Sequence, residues 1–250
     1  METKKIEKII KNLTQVFFEA GDLSIELRNK GLTKNVKKDN TPVTNGDIEV
    51  NKIILNNLKK ISPSIPIVSE ETSENKNLDL DTFWLVDPID GTYDYINNRD
   101  EFTLNAGLII NKVAVAGIIY APAKKRMFYS YGNNISYELN NSNEKVLNNK
   151  NIDKNNIRAV SYSNNLKPEI IEIHKKLKVK EYVKMKSSLK FCVIATGEFH
   201  VYVAEPRAKE WDIAAGHAIL KNSGGTVTDL DGKEILYGKN GFKNPGIILK

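Results

Sequence analysis

The chain predicts an α+β fold, and three features carry that reading: an amphipathic helix near its start, consecutive strands joined by tight turns, and a second half that mixes helices with strands. Ile6, Ile9, Ile10, Leu13, Val16, Phe17 and Ala20 recur at steps of three and four, which predicts a helix over residues 4–20. A second helix is expected over residues 45–60, with Val50, Ile53, Ile54 and Leu58 facing inward. Pro63 and Pro66 end that region, and residues 65–68 read as a short strand leading to Ser69-Glu70-Glu71. Residues 83–86 form an apolar strand halted by Asp87-Pro88. Residues 102–110 and 113–120 are two more strands, with Asn111-Lys112 as a hairpin turn. Residues 126–131 and 135–139, split by Gly132-Asn133-Asn134, extend the same antiparallel sheet. The second half predicts a strand at 157–161, a helix at 168–177, a helix from 188, a strand at 198–203, a helix at 212–222, and a strand after Gly224-Gly225. A regular βαβ alternation is missing from this pattern.

With 250 residues, 40% hydrophobic and 27% charged, the chain can bury a large core and is too apolar for a disordered one. Residues 140–156 are rich in Asn, Lys, Ser and Asp. They read as a surface connection between two halves, residues 1–140 and 157–250, or as a loop in one continuous domain. The longest apolar run, residues 113–123, is broken by Gly117 and Pro122 and falls short of the roughly 18 residues of a membrane span. The N-terminus is charged and lacks a hydrophobic signal core, so no secretion is expected. The single cysteine, Cys192, lies in an apolar stretch; it suits a reducing cytosol and reads as a small core residue. The net charge of +6 comes from scattered lysines without interleaved aromatics, which is a solvated surface and no nucleic-acid footprint.

The sharpest local feature is Asp87-Pro88-Ile89-Asp90-Gly91-Thr92, directly after the apolar strand. Asp87 projects from the rigid end of a strand, and Asp90, three residues on, can return to the same point in space. Pro88 fixes the turn, and Gly91 lets the backbone approach a ligand. Thr92 opens a helix whose free N–H groups favour phosphate. Two hard carboxylates and the Ile89 carbonyl suit Mg²⁺, which takes oxygen ligands at about 2.1 Å. Taken alone, the hexapeptide fits a capped turn as well as it fits a metal site.

Three more segments shift the balance. Ser69-Glu70-Glu71 sets adjacent acids at a strand end. Thr41-Pro42-Val43-Thr44-Asn45-Gly46-Asp47 sets Asp47 at a helix start, where a Thr44–Asp47 capping arrangement is the plain alternative. Trp211-Asp212-Ile213-Ala214-Ala215-Gly216 sets an acid at another helix start, with an N-cap as the plain alternative. Four such segments are unlike coincidence. A phosphatase forming an aspartyl-phosphate would want its two aspartates one residue apart, and here two residues separate them. A calcium-binding loop over 87–98 lacks the required glycine and final glutamate. Asp229-Leu230-Asp231-Gly232 reads as a hairpin turn. His174, His200 and His217 are too scattered for a zinc site, and His217 is expected to be structural.

These four segments, in this order and spacing, make the sequence resemble the inositol monophosphatase-like superfamily over nearly its whole length. The resemblance implies a layered αβαβα sandwich of the inositol monophosphatase/fructose-1,6-bisphosphatase type, and a lithium-sensitive, magnesium-dependent phosphomonoesterase. It makes Glu70, Asp87, Asp90, Asp212 and the Ile89 carbonyl metal ligands. Asp47 would assist a further, weaker metal, and Thr92 with Glu70 would orient the attacking water. Within the superfamily the chain is similar to bacterial 3′(2′),5′-bisphosphate nucleotidases. That implies adenosine 3′,5′-bisphosphate as substrate, bound through Ile89, Asp90, Gly91, Thr92, Ser187, Lys190 and Asp212. It also implies a cytoplasmic monomer or homodimer, with peripheral association with the inner membrane as a further option. An inositol monophosphatase, or a member that binds metal and nucleotide without catalysis, stays open. Three departures bear on substrate. Asn164 stands where the relatives often have histidine. Ala204 stands where they often have arginine, with Arg207 or Lys209 as substitutes from the same loop. Glu205 stands where inositol-selective relatives place a hydroxyl-binding glutamate.

Overall fold

In the computed structural model, residues 1–37, 40–72, 80–140, 143–149 and 155–250 are described. Helix α1 (Thr3–Lys30) runs well past residue 20, where the sequence pattern ends it. Gly21 explains the difference. A Cβ there would lie 2.3 Å from Tyr120 Cε1, so this glycine lets the helix continue close over the sheet, and Ser24 behind it is buried and donates to the Gly21 carbonyl (2.6 Å). A two-stranded ribbon, β1 (Lys34–Val36) and β2 (Pro42–Thr44), leads into α2 (Asn45–Ile61), whose Val50, Ile54 and Leu58 are fully buried.

The main sheet has the order β3-β4-β5-β6-β7-β8-β9: β3 (Ile67–Ser69), β4 (Phe83–Asp90), β5 (Thr103–Ile110), β6 (Val113–Ala121), β7 (Arg126–Ser130), β8 (Ser136–Asn140) and β9 (Asn143–Val146). Side chains alternate across it with the period of two that a pleated strand imposes. On β4, Trp84 and Val86 meet α1 and α2, while Phe83 and Leu85 face the opposite layer. The Asn111-Lys112 turn has both residues at positive φ (51° and 63°), as a two-residue hairpin loop requires. Strand β4 does not stop at Asp87-Pro88 as expected. It passes through a bulge: Asp87 pairs with Asn105 and Asp90 with Thr103, so three steps on β4 oppose two on β5. Pro88, which lacks an N–H, falls inside that irregularity. In the predicted connection, residues 143–149 instead hold β9, paired antiparallel to β8, and a buried Leu147; residues 141–142 and 150–154 lie outside the described residues.

The short helix α3 (Thr92–Ile96) follows β4 in the first half, and the second sheet begins at β10 (Ile157–Ser161). After α4 (Pro168–Lys176) come β11 (Val179–Lys184), α5 (Leu189–Ala195), β12 (Val201–Ala204), α6 (Glu210–Asn222), β13 (Val227–Asp229) and β14 (Ile247–Leu249), in the order β11-β10-β12-β14-β13. Neither β11 nor β14 is legible in the sequence. β11 is an exposed edge strand, and β14 has only three residues. One face of this sheet packs on α4 (Ile170 against Val201 and Val203), and the other on α5 and α6. The layers are therefore α1/α2, the seven-stranded sheet, α5/α6, the five-stranded sheet and α4, which is the αβαβα sandwich. Cys192 is buried in the α5/α6 layer, and the Asp229–Gly232 segment is a tight turn closed by Lys233 N–H to Asp229 Oδ1 (2.8 Å). Among the described residues no helix is long and apolar enough to cross a membrane.

Helix α6 lies directly on strands β5 and β6. A Cβ on Gly107 would come within 2.7 Å of Ala214 Cβ and Ala215 N, and one on Gly117 within 2.6 Å of the Ala215 carbonyl oxygen. The small residues after Asp212 are thus a packing requirement. Gly107→Ala should cost about 1–3 kcal/mol through overpacking, read as a thermal midpoint lower by several degrees. An unchanged midpoint would show that the helix does not need this close approach.

Candidate metal centre and active site

The bulge in β4 is what turns a strand end into a site. It carries Asp87, the Ile89 carbonyl and Asp90 to the edge of the sheet, where β3 delivers Glu70 alongside. Ser69 ties β3 to α2 by donating to Asn51 Oδ1 (2.7 Å), and Glu70 N–H donates to the Val86 carbonyl (3.0 Å), so the Glu70 backbone is fixed. Gly91 follows at φ 92°, where a Cβ would lie 3.0 Å from the Glu101 carbonyl oxygen. Any side chain there would be strained as well as crowded. Thr92 then opens α3, as expected.

Asp212 arrives from the far side on α6. It is the third residue of that helix, so the plain N-cap alternative does not hold; Lys209 takes the cap position and donates its N–H to Asp212 Oδ2 (2.7 Å). Asp47 does form the capping box with Thr44: Thr44 N–H donates to Asp47 Oδ2 at 2.7 Å, and the Thr44 hydroxyl lies 2.6 Å from the same oxygen. Its other oxygen, Oδ1, lies 3.2 Å from the Thr92 hydroxyl, which is also 3.1 Å from the Ile89 carbonyl. Capping and site-building are the same arrangement here.

Glu70, Asp87 and Asp212 each offer an oxygen within 4.8 Å of the others. Asp90 joins them through Ser188, whose hydroxyl lies 2.6 Å from Asp90 Oδ2 and 2.5 Å from the Asp212 carbonyl. Burial pushes the pKa values of Asp87 and Asp212 well up, and repulsion from the neighbouring acids adds to it; Asp47 and Glu70 are raised as well, first by burial. One lysine answers this crowd. Lys37 Nζ sits 2.7 Å from both Glu70 Oε1 and Glu71 Oε1. Burial opposes its charge, but attraction from the two glutamates wins and holds its pKa above the ordinary lysine value. Glu71 is still pushed up to about 7 by burial. Asp87 Oδ1 is buried without a hydrogen-bond partner. An orphaned carboxylate oxygen among several unneutralised acids fits a hard divalent cation with all-oxygen ligands. Glu70, Asp87, Asp90, Asp212 and the Ile89 carbonyl are the groups able to hold it.

Beside this cluster opens a cavity of about 270 Å³, lined in part by Asp90, Gly91, Asp212, Ser187, Lys190 and Arg207. Ser187 is held at φ 54°, and Lys190 donates to its carbonyl while lying over the Tyr202 ring (5.3 Å). Burial lowers the Lys190 pKa to about 8. Three neighbours escaped the sequence reading as site residues: Lys37, Glu71 and Ser188. Ser188 sits in the same stretch as Ser187, so spacing pointed near it. Lys37 lies ten positions before Asp47 with nothing local to mark it. His217 is away from this chemistry, buried and hydrogen-bonded to Tyr237 (2.9 Å), with burial lowering its pKa to about 3.

A sandwich of this layering with buried acids converging between its sheets is the frame of a metal-dependent phosphatase. The inositol monophosphatase family profile matches residues 5–246, and the chain belongs to that family. The 3′(2′),5′-bisphosphate nucleotidase CysQ of Buchnera aphidicola is 36% identical over 235 residues, covering 92% of this chain and 88% of the relative. CysQ of Salmonella typhimurium is 32% identical over 246 residues, covering 95% and 98%. The crystal structure of CysQ from Bacteroides thetaiotaomicron superposes with a TM-score of 0.78 at 28% identity, covering 94% of each chain.

The raised carboxylates set a sign. Groups with higher pKa values in the folded state bind more protons there, so without metal the stability falls as pH rises above the ordinary carboxylate range, for Glu71 from about 4.5 to about 7, and Asp87 and Asp212 act in the same direction. Asp87→Asn should therefore raise the thermal midpoint of the metal-free protein at pH 8. It should also lose most of the stabilisation that added divalent cation gives the wild type, about 2.7 kcal/mol at a hundredfold excess over Kd. A variant with the wild-type cation response would remove Asp87 from the centre.

Proposed function

We propose that the protein is a Mg²⁺-dependent phosphomonoesterase that hydrolyses adenosine 3′,5′-bisphosphate to AMP and phosphate. The observation that carries this is the meeting of Glu70, Asp87 and Asp212, with Asp90 beside them, next to a cavity that Asp90 and Asp212 line together with Lys186, Lys190 and Arg207. The names of the relatives at 36% and 32% identity support the substrate. Bound divalent cation would supply Lewis acidity and neutralise charge on the phosphoryl oxygens.

The chain's own residues supply position. Asp47 and the Ile89 carbonyl engage the Thr92 hydroxyl hydrogen, which leaves the lone pairs of Thr92 Oγ1 to accept from the attacking water. Glu70 accepts the other hydrogen of that water, so its oxygen is aimed in line at phosphorus. The bond from phosphorus to the sugar oxygen breaks as the new P–O bond forms, and the proton that the attacking water gives up balances the one the departing alkoxide takes up to leave as a hydroxyl. Phosphoryl transfer asks for positioning and electrostatics more than for a protein nucleophile. Ser188 keeps Asp90 in register with α6. Ser187 and Lys190 face the nucleotide from the cavity wall. A buried, free cysteine is consistent with a reducing cytosol.

The inositol reading rested on Glu205. That carboxylate accepts from the Tyr162 hydroxyl (2.7 Å) and pairs with Lys167 (3.3 Å), so it is engaged before any polyol arrives. A phosphate-release panel with Mg²⁺ should rank adenosine 3′,5′-bisphosphate above inositol 1-phosphate and fructose 1,6-bisphosphate. Asp90→Asn should lower kcat by about a hundredfold or more while the chain stays folded. Near-normal turnover in that variant, or a panel led by inositol 1-phosphate, would refute the proposal.

A further inference from the structure

Among the described residues, three cations line the cavity: Lys186, Lys190 and Arg207. The carboxylates nearby are already committed. Asp94 is bound by Arg99 (3.0 Å), Glu101 accepts from the Lys186 backbone N–H (3.0 Å), and Glu205 is held by Tyr162 and Lys167. Arg207 makes no ion pair among the described residues. Its guanidinium lies 4.0 Å from the centre of the Tyr162 ring, a contact that orients the group and leaves its N–H edge available. Tyr162 is itself fixed by Glu205, so the arginine is braced through a chain of two contacts. Lys209, the other basic residue of this loop, donates instead to the Gly241 carbonyl (2.8 Å) and does not line the cavity.

Lys190 lines the same cavity as Asp90 and Asp212 and as Arg207 and Lys186, so acids and cations share one ligand-sized space. Ala204, buried in β12, lines the cavity without charge, and the loop that follows brings Arg207 to the same cavity three residues later. A planar guanidinium with an unpaired edge binds a phosphate through two parallel hydrogen bonds.

We infer that Arg207, braced on Tyr162 and supported by Lys186, forms the subsite for the phosphate that is not cleaved, and so sets the preference for bisphosphorylated nucleotides. This rests on the proposed function and names the residue behind its selectivity. The test is the ratio of kcat/KM for adenosine 3′,5′-bisphosphate to that for adenosine 3′-monophosphate. Arg207→Ala should lower this ratio about tenfold to a hundredfold. Arg207→Lys, which keeps the charge and loses the fork, should recover part of it. Tyr162→Leu, which keeps the arginine and removes its brace, should fall between wild type and Arg207→Ala. If wild type prefers the bisphosphate and Arg207→Ala keeps that preference, the inference fails and the proposed function stands. If wild type cleaves the bisphosphate but ignores its second phosphate, the inference alone fails; if it does not cleave the bisphosphate, both fail.

Discussion

Like charges crowded out of water are the constraint around which this protein is arranged. Glu70, Asp87, Asp90 and Asp212 come from three separate elements and meet where bulk solvent screens them poorly. Coulomb repulsion at such separations grows steeply as the local dielectric falls, and a carboxylate without a partner resists ionising there. Lys37 offsets part of this at Glu70 and Glu71. Groups in that condition are costly to the fold and useful to a ligand. A divalent cation converts their mutual repulsion into shared attraction, which is how a site gains affinity from residues that destabilise the empty protein.

The scaffold holds the acids against that repulsion by rigid means. The β4 bulge, with Pro88 inside it and Gly91 after it, fixes Asp87 and Asp90 through backbone geometry. Helix α6 is pressed onto glycines of β5 and β6, so Asp212 cannot retreat without the helix lifting from the sheet. Ser188 links the two sides, since its hydroxyl meets Asp90 and the Asp212 backbone together. The cavity beside them is lined by Asp90 and Asp212 and also by Lys186, Lys190 and Arg207. That mixture of metal-binding acids and cations suits a ligand with two phosphates, one to be cleaved and one to be held.

Much of this was legible in the chain. Periodicity gave α1 and α2, alternation and turn residues gave β5 to β8, and the four acidic segments named the residues that converge. What was missed has physical causes. Helix α1 runs on because Gly21 serves packing against Tyr120, and a local reading treats a glycine as an end. β11 carries no buried face, so it has no pattern to read, and β14 is too short for one. Lys37 belongs to the site only because the β1–β2 ribbon folds toward β3, a tertiary fact with no local mark. Arg207 was one of two basic residues on a loop, and only the fold shows that it turns to Tyr162 while Lys209 turns to Gly241.

Crystals soaked with Mn²⁺, whose anomalous scattering locates it directly, would test the account at its root. The account predicts an ion within coordination distance of Glu70, Asp87 and Asp212 at once, with Asp90 and the Ile89 carbonyl beside it. Density for ions only elsewhere on the molecule, with those carboxylates unchanged, would contradict it.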